Sequence, residues 1–217
     1  MPDELHIETF TLGDWMTNCF VVHAPATGAA GGDCVIVDLG FDPEPVFQYI
    51  EANNLTPSKV VLTHAHVDHI AGLPELRSRY ADLPILIHEA ERDFPGDPAL
   101  NLSIALDRPV VAPEPDDVLR HGQRIDLAGF AFEVRHTPGH SPGGITLYQA
   151  EHRVAIVGDA LFAGSVGRTD FPTSDGPGLI RSIREQLLSL PDETQVLPGH
   201  GPATTIGRER ASNPFLQ

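Results

Sequence analysis

The apolar run VVL at 60–62 leads without a spacer into THAHVDH at 63–69. Three imidazoles and a carboxylate within six positions cannot be packed into an ordinary core, because buried polar groups need partners. Nor do they read as a surface tract, since a strand-like run feeds straight into them. In an extended segment residues two apart point the same way, so His64 and His66 can grip one ion together. Asp68 and His69 follow as the chain turns into a helix, near whose start a carboxylate is favoured, and they can face a second ion. Imidazole and carboxylate at this density suit Zn, Fe or Mn, whereas calcium takes mostly oxygen. The chain must therefore end a buried strand at the rim of its core, with room there for metal.

Three more ligand-type residues occupy the same kind of place, in a loop directly after an apolar run. They are His140 in TPGHSPGG, Asp159 after VAIVG and His200 after QVLPG. His140 and His200 share the tripeptide PGH, in which Pro and Gly set a tight turn before the imidazole. Asp159, with two oxygens, suits a bridge. The seven then divide as His64, His66 and His140 on one ion, Asp68, His69 and His200 on the other, and Asp159 shared. Such a division leaves open positions for water and substrate, as catalytic sites do. His6, His23, His88, His121, His136 and His152 lack this context and read as surface or core residues. Cys19 and Cys34, without C-x-x-C spacing, read as small core residues.

Short apolar runs separated by turn clusters predict strands at 7–12, 19–23, 34–38, 60–63 and 85–88, then at 124–127, 131–136, 145–149, 154–158 and 195–197. Apolar spacing near 3.6 predicts helices at 45–53, 70–80 and 178–189, with Asp68 just before the second. This order fits two packed sheets with helices outside better than a doubly wound parallel sheet. CVIVDLG at 34–40 resembles VAIVGDA at 154–160, and two related halves joined near 109–117 would account for the echo. One domain spanning 1–217 is expected. The formal charge of -16, with Lys59 the lone lysine, repels phosphate backbones and argues against nucleic acid as a partner. The start MPDELHIETF is acidic where a signal peptide is basic, and no run approaches the roughly 18 apolar residues of a membrane span. A cytoplasmic protein without a membrane partner is the expectation.

With HAHVDH at 64–69 followed by His140, Asp159 and His200, the chain resembles the metallo-β-lactamase superfamily, whose H-x-H-x-D-H signature it carries intact. The resemblance covers essentially the whole chain. It implies an α+β fold, the four-layer αββα sandwich, with the site at the edge of the paired sheets. GDALFAGSVGRTDFP at 158–172 and LPGHGPATTIGRERASNPFLQ at 197–217 look like the small bacterial glyoxalase II-like hydrolases. That subgroup implies hydrolysis of a small-molecule thioester, S-2-hydroxyacylglutathione and above all S-D-lactoylglutathione, with two divalent ions (zinc, iron or manganese) as cofactors. It implies catalytic roles for Asp68, near the attacking water, and for the bridging Asp159. Substrate contacts are expected from Arg168 and from loop 164–167, Gly164 and Ser165 included, through backbone N–H groups.

Two departures bear on substrate. Larger glyoxalase II enzymes have a C-terminal helical domain with basic glutathione-binding residues, and this chain ends soon after His200. They also place a lysine and then a tyrosine where Arg168 and Asp170 stand here, so Asp170 is expected to pair with Arg168 instead. The rival from another reaction class is a persulfide dioxygenase, which resembles this chain in its GRTDF loop and holds one iron through positions matching His64, His140 and Asp159. A lactonase or esterase on another small acyl compound is the hydrolytic rival, and a metal-binding module without turnover the non-enzymatic one.

Overall fold

In a computed structural model, the chain is described over residues 4–25 and 31–217. Residues 1–3, which open the acidic start, and 26–30 lie outside the described residues. The first half runs β1 (His6–Leu12), β2 (Thr17–His23), β3 (Asp33–Val37), α1 (Glu44–Ala52), β4 (Thr56–Val61), α2 (Val67–Ile70), α3 (Leu73–Arg79), β5 (Ile85–His88) and β6 (Asp117–Leu119). The second runs β7 (Arg124–Leu127), β8 (Phe130–His136), β9 (Ile145–Gln149), β10 (Val154–Gly158), β11 (Leu161–Phe162), β12 (Ser165–Val166), α4 (Gly176–Ser182), β13 (Gln195–Pro198), β14 (Thr204–Thr205) and α5 (Ile206–Ser212).

These strands form two six-stranded sheets, ordered β1-β2-β3-β4-β5-β6 and β14-β13-β10-β9-β8-β7, with β11 and β12 as a separate hairpin. Because side chains alternate along a strand, each central strand feeds two cores. Phe20, Val35, Val37 and Val61 of the first sheet pack with Phe132, Val134, Leu147 and Ile156 of the second, between the sheets. Their neighbours Val21, Ile36 and Val60 face outward against Val46, Phe47 and Ile50 of α1 and Leu73 and Leu76 of α3. Ala155, Val157 and Val196 face Leu179, Ile183, Leu187 and Ile206 on the other outside. The expected αββα layering follows from this alternation.

The echo between the halves has a physical counterpart. Asp38 and Gly158, equivalent in the two matching segments, both leave their strands with left-handed backbone, at φ 57° and 51°. Both meet Thr63: Asp38 accepts its N–H and hydroxyl at 2.7 Å, while a Cβ on Gly158 would lie 2.6 Å from Thr63 Oγ1. Positive φ and close approach together make glycine necessary at 158.

Some element boundaries depart from expectation. The strand predicted at 60–63 begins at Thr56 and ends at Val61, absorbing Pro57 where the register against β3 shifts. The helix predicted at 70–80 is broken in two, and Asp68 lies inside the one-turn α2 instead of just before a longer helix. Gly72 separates the pieces, and a Cβ there would meet Gly40 O at 2.7 Å and Leu39 Cγ at 2.8 Å, so the backbone after β3 crosses at that point. The helix expected at 178–189 starts at Gly176, capped by the Asp175 carboxylate, and continues past Ser182 as a wider π turn, Ile183–Leu187. Among the described residues no helix is long and apolar enough to cross a membrane.

Candidate metal centre

Each candidate ligand lies where a strand runs out. His64 and His66 follow β4, with Asp68 and His69 in α2; His140 follows β8, Asp159 follows β10 and His200 follows β13. The strand ends share one edge of the sandwich and bring all seven residues together. Ligand atoms lie within 4.8 Å of one another in each of three sets: His64, His66 and His140; His64, His69 and Asp159; and Asp68, His69 and His200. Asp159 reaches both outer sets. Its Oδ1 is 3.4 Å from His69 Nε2, and its Oδ2 is 3.5 Å from His140 Nε2 and 3.4 Å from His200 Nε2. Asp68 Oδ2 is 3.1 Å from His200 Nε2, and His66 turns Nδ1 to within 2.8 Å of His140 Nε2.

Among the buried atoms with no hydrogen-bond partner are His64 Nε2, His69 Nε2 and Asp159 Oδ1. Buried polar atoms are nearly always satisfied, and these three belong to one cluster whose ligand atoms lie within 4.8 Å of one another. Imidazole nitrogens with a carboxylate oxygen form the donor set that zinc, iron and manganese take. The residues therefore fit metal ions.

Behind the ligands lies a set of hydrogen bonds that aims them. Asp38, fully buried, accepts from His69 Nδ1 at 2.8 Å as well as from Thr63. His140 Nδ1 donates to the Arg168 carbonyl at 2.8 Å, and the Thr17 hydroxyl donates to Asp68 Oδ2 at 2.8 Å. Asn18 holds the His200 loop, its backbone N–H on Gly199 O at 2.7 Å and its side-chain amide on Pro198 O and Gly201 O at 3.0 and 2.9 Å. Sequence reasoning singled out none of Thr17, Asn18 or Asp38. Asp38 alone carries a legible signal, a carboxylate closing a wholly apolar run.

Electrostatically the two outer sets differ. Burial, reinforced by neighbouring imidazoles, pushes His64 well below the usual histidine range and His66 down to about 3. Burial likewise lowers His140. In the other set burial works in the same direction but loses to carboxylates. Asp68, Asp38 and Asp159 hold His69 well above its ordinary value, and Asp159 and Asp68 bring His200 up to about 10. Without metal, one set is neutral at pH 7 and the other carries protons.

The centre floors a cavity of about 520 Å³ walled by Trp15, Leu102, Phe162, Val166 and Phe171, with Ser165 and Arg168 at its lining. Arg168 makes a two-point ion pair with Asp170, both contacts 2.7 Å, and its guanidinium lies 4.4 Å over the Phe171 ring. The expected pairing is present. Two of the expected N–H donors of loop 164–167, those of Gly164 and Gly167, need correction. Gly164 N–H is already given to the buried carboxylate of Glu209 at 2.8 Å, and Gly167 N–H goes to Ala160 O at 3.3 Å. Both are engaged within the protein, so Gly164 has no backbone donor to offer a substrate. The remaining histidines stay apart from the centre. His88 stacks on His136 at 4.0 Å, His23 bonds Tyr49 and Ala24, and Cys19 and Cys34 are free and buried.

Known proteins resemble this chain in sequence and fold. The chain is 41% identical over 184 residues to a probable metallo-hydrolase of Bacillus subtilis, YqgX, covering 84% of this chain and 87% of that one. It is 36% identical over 214 residues to the hydroxyacylglutathione hydrolase GloC of Haemophilus influenzae, covering 98% of each. Among solved structures, the BLEG-1 B3 metallo-beta-lactamase superposes with a TM-score of 0.90 at 38% identity, covering 98% of this chain and 100% of that one. TTHA1623 in a di-iron-bound form does so at 0.82 and 39%, covering 96% and 100%. A family model of the metallo-beta-lactamase superfamily matches residues 12–200, a span that takes in all seven candidate ligands from His64 to His200. By ligand set, by fold and by this match, the chain belongs to the metallo-beta-lactamase superfamily.

Proposed function

We propose that this chain is a dinuclear metal-dependent hydrolase of a small thioester, S-2-hydroxyacylglutathione being the first candidate and S-D-lactoylglutathione the first member of that class. The observation that carries the reading is Asp159, whose two oxygens stand between the His64/His66/His140 set and the Asp68/His69/His200 set. His200, 3.1 Å from Asp68, has a ligand's position only if a second ion is held. This favours two metals over the single iron of a persulfide dioxygenase. The relationship to GloC supports the choice of thioester.

His64, His66 and His140 would hold one ion, Asp68, His69 and His200 the other, and Asp159 both, with zinc favoured and iron or manganese as alternatives. Bound there, divalent ions supply Lewis acidity and lower the pKa of water toward neutrality. Asp68, fixed by the Thr17 hydroxyl, orients the attacking water and accepts its hydrogen bond. The apolar walls around the centre exclude bulk water and strengthen the field of the charged groups. Apart from the ligand set, Arg168 is the one titratable residue lining the cavity among the described residues. An amine or alkoxide leaving group calls for a proton donor, whereas a thiolate leaves without one, so the lining suits a thioester. Arg168, in the cavity lining, would meet a substrate carboxylate once it is released from Asp170.

The test is a paired assay on purified, metal-quantified protein. S-lactoylglutathione hydrolysis with two metals per chain is the expected result, and Asp159→Ala should abolish both. Oxygen uptake with glutathione persulfide at one iron per chain would decide for the dioxygenase. Turnover confined to lactones or simple esters would move the substrate class.

A further inference from the structure

Glu91 closes the short 3-10 turn after β5 and is fully buried, with no Lys, Arg or His beside it among the described ion pairs. Its two oxygens instead accept two short backbone bonds. Oε2 takes the Ala65 N–H at 2.6 Å and Oε1 takes the Gly143 N–H at 2.7 Å. The position of these donors is the point. Ala65 lies between His64 and His66 on the loop leaving the first sheet, and Gly143 lies three residues beyond His140 on the loop leaving the second. One carboxylate thus spans the two loops that supply a single ligand set. The fit is close, since a Cβ on Gly143 would meet Glu91 Cγ at 2.7 Å and Cδ at 3.0 Å.

Stability alone gives a poor account of this group. A buried carboxylate without a cation is costly to desolvate, and burial pushes Glu91 above the usual carboxylate range against the pull of the Ser141 hydroxyl, the Gly143 and Ala65 N–H groups and the more distant His69. Charge-assisted bonds of this length do, however, fix distances more tightly than neutral ones. A metal site needs its supporting shell held to within about half an ångström.

We propose that Glu91 is a positioning residue that sets the spacing between the His64/His66 loop and the His140 loop, and so the affinity for the ion held by those three histidines. The inference rests on reading the three as metal ligands, as above. Glu91 would not touch metal, water or substrate.

Glu91→Gln tests it. The glutamine keeps the volume but sets an amide NH2 against one of the two backbone N–H donors, so one tie is lost. Zinc affinities are read by chelator competition, with stoichiometry by mass spectrometry and coordination geometry by cobalt absorption. The parent should bind two zinc ions, and Glu91→Gln should lose roughly 10- to 100-fold for one of them with the other unchanged. The cobalt spectrum of the weakened site should change. Gly143→Ala, which crowds the same carboxylate, should weaken the same ion to a smaller degree, and serves if Glu91→Gln does not fold. Leu187→Ala, a cavity in the outer core to which neither loop contributes a side chain, reports what destabilisation alone does and should leave both affinities within twofold. Unchanged affinities in folded Glu91→Gln, or equal weakening of both ions, would overturn the proposal while leaving the ligand reading intact. A parent that binds no zinc would overturn both.

Discussion

Asp38 offers the sharpest test of how the metal centre is aimed, through Asp38→Asn. The backbone there is left-handed, which asparagine tolerates well, and the volume is unchanged. Only hydrogen-bond polarity differs. The amide oxygen of the variant side chain would still accept the Thr63 N–H, and the new NH2 could donate to the Thr63 hydroxyl, which can reverse its role. At His69 no such reversal is free. Its Nδ1, 2.8 Å from Asp38 Oδ2, must carry the proton for Nε2 to present a lone pair to metal. Facing an amide NH2, the ring would move its proton to Nε2 and block the ligand position, or keep it and leave two buried donors opposed. A buried mispairing of this kind costs about 1–3 kcal/mol. At 1.4 kcal/mol per tenfold, that is a loss of about 5- to 150-fold in affinity, at the Asp68/His69/His200 set and not at the other. Chelator competition with zinc measures the loss, and nitrogen-detected NMR of the imidazole reports which ring nitrogen is protonated. If folded Asp38→Asn held both ions within twofold of the parent, the claim that this carboxylate sets the His69 tautomer would be wrong.

Other consequences can be checked on the same material. Zinc titration of metal-free protein at pH 7 should release few protons as the His64/His66/His140 set fills, because burial keeps those rings neutral, and more as the other set fills, because His200 is raised to about 10 and His69 also lies high. Affinity for that second ion should climb with pH until His200 deprotonates near 10; calorimetry in buffers of different ionisation enthalpy counts the protons, and equal release at both steps would refute the asymmetry. His200's raised value also stabilises the metal-free fold, fully below pH 6.5 and progressively less as pH rises through 10, so its thermal midpoint should fall across that window, which a metal-free melting series would reveal. Thr17→Val removes the donor to Asp68 and should lower kcat/KM roughly tenfold with secondary structure intact by circular dichroism; an unchanged value would remove Thr17 from the aiming set. Arg168→Ala should raise KM for S-lactoylglutathione several-fold while leaving metal content unchanged, and identical KM would reduce the Arg168–Asp170 pair to a surface contact.

How much of this was legible in the sequence varies with the physics behind each feature. The seven candidate ligands were legible because each follows an apolar run, and such runs are buried strands whose ends must converge when sheets pack. The layering was legible because unbroken apolar runs such as CVIV and VAIV mark strands buried on both faces. Short elements were not. β6, β11, β12 and β14 have two or three residues, too few for a period to register, and α5 mixes Gly, Arg and Glu with few apolar positions. The break at Gly72 depends on the backbone at Leu39 and Gly40 crossing from elsewhere in the chain. Thr17, Asn18 and Glu91 act across separations of 26 to 183 residues, and nothing local announces such partners. The Gly164 donor was misjudged for the same reason: Glu209, which takes it, comes from the far end of the chain.

The distribution of ligands between the sheets has a consequence for assembly. Each outer set draws two residues from the first half of the chain and one from the second: His64 and His66 with His140, and Asp68 and His69 with His200. Asp159, also from the second half, joins them. Neither half alone offers three ligands to either ion. Loading with metal would then wait until the two halves have docked, and each ion would act as a rivet across the seam, its binding energy directed to keeping the halves closed. Occupancy would report on correct assembly, and a chain whose halves had slipped would forfeit cofactor and cohesion together.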